Sequence, residues 1–153
     1  MISGGQTGVD RAALDAAAAA GLPIGGSCPR GRLAEDGPIP ACYPLVETPS
    51  ADYPQRTEWN VRDSDGTLIL ARGAPSSGGT AFTLEVARRL GRPALVLDLD
   101  ERPDPDVVRA WCTARAVRTL NVAGPRESGA PGIYAEARAF LEAAFSGAGR
   151  PGR

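Results

Sequence analysis

The sequence predicts an α/β fold built on an open, mainly parallel sheet, and three observations carry that expectation. Short segments, "GTLILA" at residues 66–71, "PALVLDL" at residues 93–99 and "RTLNVAG" at residues 118–124, are rich in Leu or β-branched residues and apolar on both faces, the pattern of strands covered from two sides. Helix-length stretches alternate with them, as parallel strands require for their crossovers. Finally, no repeat or linker divides the 153 residues, a length that suits one domain. A single domain over residues 1–145 is expected, followed by a tail, residues 146–153, whose "SGAGRPGR" has no apolar anchor and is expected to be mobile.

In chain order, "SGGQTGVD" (residues 3–10) is a polar glycine turn feeding "DRAALDAAAAAG", an Ala-rich helix stopped by Gly21 and Pro23. "LPIGG" reads as the second strand. Residues 27–56 are rich in Pro and Gly with one apolar piece, "YPLVE", and so long an irregular excursion predicts a lid or binding segment. "TAFTLEVARRLG", "DPDVVRAWCTARA" and "GIYAEARAFLEAAF" each supply about three helical turns. Val86, Ala87 and Leu90 share one helical face, as do Ala137, Leu141 and Ala144, so both faces are expected to pack on the sheet.

Composition narrows the chemistry. A net charge of −1 gives no footprint for bulk nucleic acid or an anionic membrane. No apolar run approaches the ~18 residues of a membrane span, and no secretory signal opens the chain; a cytoplasmic protein is expected. Every one of the 17 basic residues is arginine, as GC-rich coding favours, which excludes a Schiff base and a phosphate-loop lysine. Histidine is absent, removing the commonest general base and metal ligand. Cys28, Cys42 and Cys112 are widely spaced without a CxxC pair, so they read as plain thiols, and no metal site is predicted from protein ligands.

Ligands of an open parallel sheet sit beyond the carboxyl ends of its strands. Three turns fall there: Gly4-Gly5-Gln6-Thr7-Gly8, then residues 75–80 ("PSSGGT"), then residues 124–129 ("GPRESG"). Taken singly, each is explained as a tight turn with a helix cap, Thr7 and Asp10 forming a capping-box variant. Together on one edge, they predict a shared pocket for a phosphate-bearing small molecule, because glycine lets the backbone approach an anion that a helix N-terminus attracts. Gly4, Gly5, Thr7, Gly8, Gly78, Gly79 and Thr80 are the cradle residues, and Arg126 and Ser128 come from the third turn. Neither a G-x-G-x-x-G nor a G-x-x-x-x-G-K-[ST] pattern is present, so neither a dinucleotide fingerprint nor a triphosphatase loop is supported.

"QRTEWNVRDSDG" precedes the strand at residues 66–71. It reads either as a solvated helix with Glu58 paired to Arg62, or as the source of a phosphate clamp, Arg56 or Arg62, closing over the pocket. Glu85, in the second turn of the helix after "SGGT", is either an acid facing the pocket or a surface partner of Arg89.

The motifs "SGGQTGVDRAALDAA", "CPRGRLAEDGPIP", "YPLVET", "RTEWNVRDSDGTLIL", "SGGT" and "LNVAGPRES" together resemble the molybdenum carrier family, over nearly the whole chain from residue 3 to residue 145. That family is similar to a larger Rossmann-like group containing molybdenum cofactor carriers, the DNA-processing protein DprA and lysine-decarboxylase-like phosphoribohydrolases. The resemblance implies a doubly wound sheet with helices on both faces, binding of a pterin phosphate or nucleotide, with the molybdenum cofactor as one candidate, and homo-oligomers. Against the phosphoribohydrolase motif P-G-G-x-G-T-x-x-E, residues 77–85 keep Gly78, Gly79 and Glu85, while Ala81 and Phe82 replace its Gly-Thr step. It therefore implies a carrier first, and as alternatives a nucleotide N-glycosidic hydrolase with Glu85 and Arg56 as catalytic residues, or a nucleotide-sensing module. Relatives carry several apolar residues before the first glycine turn, where this sequence has Met1 and Ile2; a truncated first strand is expected, from either a start that lies upstream or a natural truncation.

Overall fold

The computed structural model describes residues 1–75 and 78–147; Ser76, Ser77 and most of the expected tail lie outside the described residues. Its centre is β5 (Gly66–Ala71), buried along its whole length and paired in parallel with β6 (Ala94–Asp98) on one side and β7 (Leu120–Ala123) on the other. Leu68 and Leu70 project to one face, into the main core, and the intervening residues project to the other, as strand alternation dictates.

The expected short first strand is in place between two neighbours. The Ile2 N–H donates to the Leu120 carbonyl at 2.8 Å, and the Val122 N–H returns a bond to the Ile2 carbonyl at 3.0 Å. On its other side the Ser3 N–H donates to Gly25 at 3.1 Å and the Gly25 N–H to Met1 at 3.2 Å. Ile2 thereby joins β7 to the Gly25 segment and to β1 (Ser27–Cys28), which pairs in parallel with β4 (Val46–Glu47). The continuous order is β4, β1, residue 2, β7, β5, β6.

Helices cover both faces, giving the Rossmann-like α/β fold. On one face α1 (Val9–Ala19) packs against α5 (Ile133–Phe145), with α4 (Asp106–Ala114) beside α5. Ala12, Ala13, Ala16 and Ala17 of α1 meet Ile133, Ala137, Leu141 and Ala144 of α5, all buried, so small side chains let the two helices approach closely. On the other face α2 (Tyr53–Arg62) packs on α3 (Gly78–Arg89) through Val61, Val86 and Ala87.

Three sequence expectations need correction. "LPIGG" is not itself the second strand: Pro23 has no N–H to give, its carbonyl takes the terminal ammonium of Met1, and pairing starts only at Gly25. The strand at residues 93–99 is not buried on both faces; β6 is the sheet edge, and Val96 is 36% exposed. Leu90 does not pack with Val86 and Ala87, because α3 ends at Arg89 and leaves it exposed beyond the last helical turn.

The excursion over residues 27–56 is ordered around one side chain. Arg32 donates to the carbonyls of Ile39, Leu45, Pro40 and Tyr43 at 3.1, 3.2, 2.8 and 2.8 Å, which gathers a segment with few regular bonds of its own. Around it lie the antiparallel hairpin β2 (Leu33–Ala34) and β3 (Gly37–Pro38) and a small core of Leu14, Cys28, Ile39 and Leu45. Asp15 of α1 accepts from the hydroxyls of Tyr43, at 2.8 Å, and Tyr134, tying the excursion to α1 and α5. Burial pushes both phenols above the ordinary tyrosine range, and the adjacent Asp15 adds to the shift.

Replacing Arg32 removes the donors of four carbonyl bonds, some of which water can then satisfy, and the cost is about 2 kcal/mol. We expect Arg32→Ala to lower the thermal midpoint by roughly 4–8 °C and to speed proteolysis within residues 29–45. A midpoint equal to that of the parent chain contradicts the organising role of Arg32.

Candidate functional site

A cavity of about 630 Å³ opens at the carboxyl edge of the sheet, between the turn after residue 3, the start of α2, the start of α3 and the turn after β7. Its place follows from the strand order. Numbered as though the chain ended after β4 and began at β5, the sheet runs 2-1-3-4-5-6, a doubly wound order whose topological switch point lies between β5 and β7. The elements following those two strands, α3 and residues 124–129, supply opposite walls of the cavity.

Of the residues singled out in the sequence, Gly4, Arg56, Gly78, Gly79, Thr80 and Arg126 line this cavity. Among the described residues, a Cβ placed on Gly78 or Gly79 would meet nothing within 4 Å, so none of them covers the backbone of the first turn of α3. N–H groups of a first helical turn have no partner within the helix. Gly4 differs: its missing side chain leaves room for the Arg56 guanidinium, whose Nη1 lies 1.6 Å from where a Cβ would stand.

Arg56 donates from Nη1 to Asp10 Oδ2 at 3.0 Å, with 14% and 6% of the two side chains exposed. Its Nε is buried without a partner among the described residues, and its guanidinium carbon lies 5.3 Å from the centre of the Tyr53 ring. The Gln6 N–H also donates to Asp10, at 3.3 Å. Burial pushes the Asp10 carboxyl above the usual carboxylate range, and Arg56 opposes the shift.

The other predicted residues lie elsewhere. Gly5 is roofed by Ile39 and Leu45, and Gly8 abuts the backbone of residues 125–127; a Cβ would come within 2.5 and 2.3 Å of these neighbours, and φ is +78° and +76°. Both glycines serve close packing and a left-handed backbone. Thr7 and Ser128 face the β2–β3 hairpin, where the Glu35 carboxylate accepts from the Thr7 hydroxyl and the Ser128 hydroxyl. The Ser128 N–H adds a bond at 3.1 Å, and Arg126 Nε stands 3.7 Å from the same carboxylate. These hydroxyls, Ser128 first, hold the Glu35 carboxyl below its ordinary range.

Arg62 pairs with Asp63 at 2.7 Å and lies 4.9 Å from the Trp59 ring, in a separate shallow groove; it closes over no part of the main cavity. Glu58 pairs instead with Arg89, at 2.7 Å, so neither expected pair along one helix, Glu58 with Arg62 or Glu85 with Arg89, is formed. Glu85 is exposed and outside the cavity wall. Cys28, Cys42 and Cys112 are free thiols, and no group of three metal-ligating side chains is found among the described residues.

Sequence reasoning missed Asp10, Gln6, Asn60 and Glu35. Asp10 carried a signal, since it lies three and four residues before Ala13 and Leu14 on the buried face of α1, where an acid needs a partner. Gln6 is a hub whose side chain donates to Tyr53 at 3.2 Å and accepts from the Glu35 N–H at 2.9 Å. Asn60 pins α2 to β1 through two bonds with Ser27, at 2.8 and 3.0 Å.

The model of the circularly permutated YpsA SLOG family (cpYpsA) matches residues 1–145. The chain belongs to that family. The permutation in its name accords with a sheet that reads as a plain doubly wound order only when the chain is taken to start at β5. The chain is also similar to a solved structure described as "Putative molybdenum carrier protein" from Syntrophus aciditrophicus SB, with 46% identity over 94% of this chain and 92% of that one and a TM-score of 0.88. No curated protein matches it. Among the described residues of this cpYpsA chain, no helix is long and apolar enough to cross a membrane.

The Asp10–Arg56 pair predicts an asymmetry. A carboxyl whose folded pKa is raised contributes stability that is fully present below its unfolded value, about 3.9, and is lost as pH rises through the folded value. Arg56→Gln leaves Asp10 buried without its cation and is expected to cost about 3 kcal/mol at pH 7, a penalty that shrinks as the pH is lowered and Asp10 protonates. Asp10→Asn leaves the Arg56 guanidinium buried without its anion, but it removes the titrating carboxyl, so its penalty is expected to vary much less with pH. Urea unfolding at several pH values checks both, and a penalty for Arg56→Gln that grows on acidification contradicts the assignment.

Proposed function

We propose that this chain binds a phosphate-bearing small molecule in the switch-point cavity, without transforming it, in the manner of a molybdenum cofactor carrier. The observation that carries this reading is the first turn of α3, uncovered among the described residues, with the Arg56 and Arg126 side chains on the wall of the same cavity. A guanidinium donor at the rim of a bare helix N-terminus suits an oxyanion. Phe82 and Tyr53 add flat apolar surface to the same wall, and the volume suits a ligand of pterin or nucleotide size.

The donor set fits a ligand that brings its own metal. The cavity wall has no thiolate and, in a chain without histidine, no imidazole, so molybdenum would travel as cargo on the ligand's own atoms. The neighbour's printed name, a molybdenum carrier, supports the same class of ligand. Hydrolysis of an N-glycosidic bond needs an acid or a stabilising carboxylate at the reacting centre. Here Glu85 is outside the wall, and Asp10, the single carboxylate among the lining residues, is turned onto Arg56.

The test uses Gly79→Ala, a substitution whose added methyl meets none of the described residues and a favourable change inside a helix. The thermal midpoint without ligand should hold or rise slightly, whereas affinity for the ligand should fall at least about tenfold, or 1.4 kcal/mol, because the methyl occupies the anion's place. Ligands are found by thermal shift with AMP, GMP, ribose 5-phosphate and extracted molybdenum cofactor. Saturation at a hundred times Kd raises the midpoint by about 5–10 °C. Release of free base from a nucleotide, or ligand affinity unchanged in Gly79→Ala, overturns the reading.

A further inference from the structure

A second set of anion donors lies beside the cavity, and the chain fills it with its own carboxylate. Thr7 Oγ1, Ser128 Oγ, the Ser128 N–H and the Arg126 guanidinium converge on Glu35. These groups come from two of the three turns at the carboxyl edge and from neither side of the hairpin that carries Glu35. The Thr7 hydroxyl is itself fixed by accepting the Glu127 N–H at 3.1 Å, so its proton is directed at the carboxylate. The Glu35 side chain is one-fifth exposed, and Arg126 is shared, since it lines the main cavity as well.

We infer that the Thr7, Ser128 and Arg126 donors form an oxyanion subsite that Glu35 occupies as an internal stand-in, and that a phosphate-sized oxyanion takes its place. A carboxylate and a phosphate draw on the same donors, two hydroxyls, one backbone N–H and one guanidinium. A tethered carboxylate competes at the effective concentration its short tether imposes, in the millimolar range or above, and so masks the subsite from weakly binding anions. Exchange requires only rotation of the Glu35 side chain, because the hairpin stays fixed by Arg11 with Asp36 and by the four carbonyl bonds of Arg32. The inference rests on the cavity reading only for where the rest of a larger ligand would lie.

The experiment is a titration of the ¹⁵N-labelled chain with inorganic phosphate, and in a parallel arm with molybdate, at low ionic strength. The backbone amide of Ser128 reports the subsite, and those of Gly79 and Thr80 report the cavity. In Glu35→Ala the Ser128 amide should titrate at least tenfold more tightly than in the parent chain, and adding Ser128→Ala should undo most of that gain at the neighbouring Glu127 amide. Glu35→Gln, which keeps the side-chain length, should show the same direction should the alanine variant fold poorly. An unresponsive Ser128 amide in a folded Glu35 variant, or binding weakened by the loss of Glu35, overturns the inference. Silent Gly79 and Thr80 amides count against the cavity reading instead, so the two failures are distinct, and whichever of the two anions moves Ser128 identifies the chemistry the subsite takes.

Discussion

The buried pair of Arg56 and Asp10 is the interaction on which the arrangement of the site depends. It joins α2 to α1 across the first glycine turn, and it is possible only because Gly4 yields its side-chain volume to the guanidinium. A buried ion pair offers little net stability, since two desolvation penalties offset its attraction, but it fixes position strongly. The same arginine stands over Tyr53, and Tyr53 is bonded to Gln6 of the first turn, so the start of α2 has one place to sit. That start is a wall of the cavity. The geometry of the cavity is in this way set by a charge pair whose worth is orientation more than energy.

The sheet imposes the other constraint. All its strands run parallel, so every strand's carboxyl end opens on the same edge, and the site can be assembled from segments as distant in sequence as residues 4 and 126. Between β7 and β1 the sheet narrows to what residues 1–3 contribute, yet the backbone groups there are paired on both sides. Such pairing is what makes a short central strand tolerable. Close contact between the alanine face of α1 and α5 covers that strand from one side, and the terminal ammonium of Met1 is itself bonded to Pro23.

Much of the fold was legible because it follows from local pattern. β5 coincides with the apolar run at residues 66–71, and Ala137, Leu141 and Ala144 of α5 are buried as their helical spacing implies. What failed depended on position in the whole. An apolar run such as residues 93–99 does not reveal that its strand stands at an edge, and Leu90 has the spacing of a core residue but stands just past the end of α3 and is exposed. At the site, the three turns do gather on one edge, but glycine is ambiguous. Gly78 and Gly79 border open space among the described residues, Gly5 and Gly8 make room for the chain's own atoms, and Gly4 makes room for Arg56. Only the neighbours in space separate these uses. Glu35 was invisible for the same reason, since nothing in the sequence joins it to Thr7 and Ser128.

The edge of the sheet therefore carries two kinds of polar surface that look alike in sequence. One is closed on itself: Glu35 satisfies the hydroxyls of Thr7 and Ser128, and Ile39 and Leu45 cover Gly5. The other is left open: among the described residues nothing covers the first turn of α3, and the Arg56 side chain lines the cavity beside it. Among the described lining residues the one carboxylate, Asp10, is engaged by Arg56. Arg126 belongs to both surfaces, held near Glu35 on one side and facing the cavity on the other, so the charge that Glu35 draws toward itself is charge withheld from the cavity.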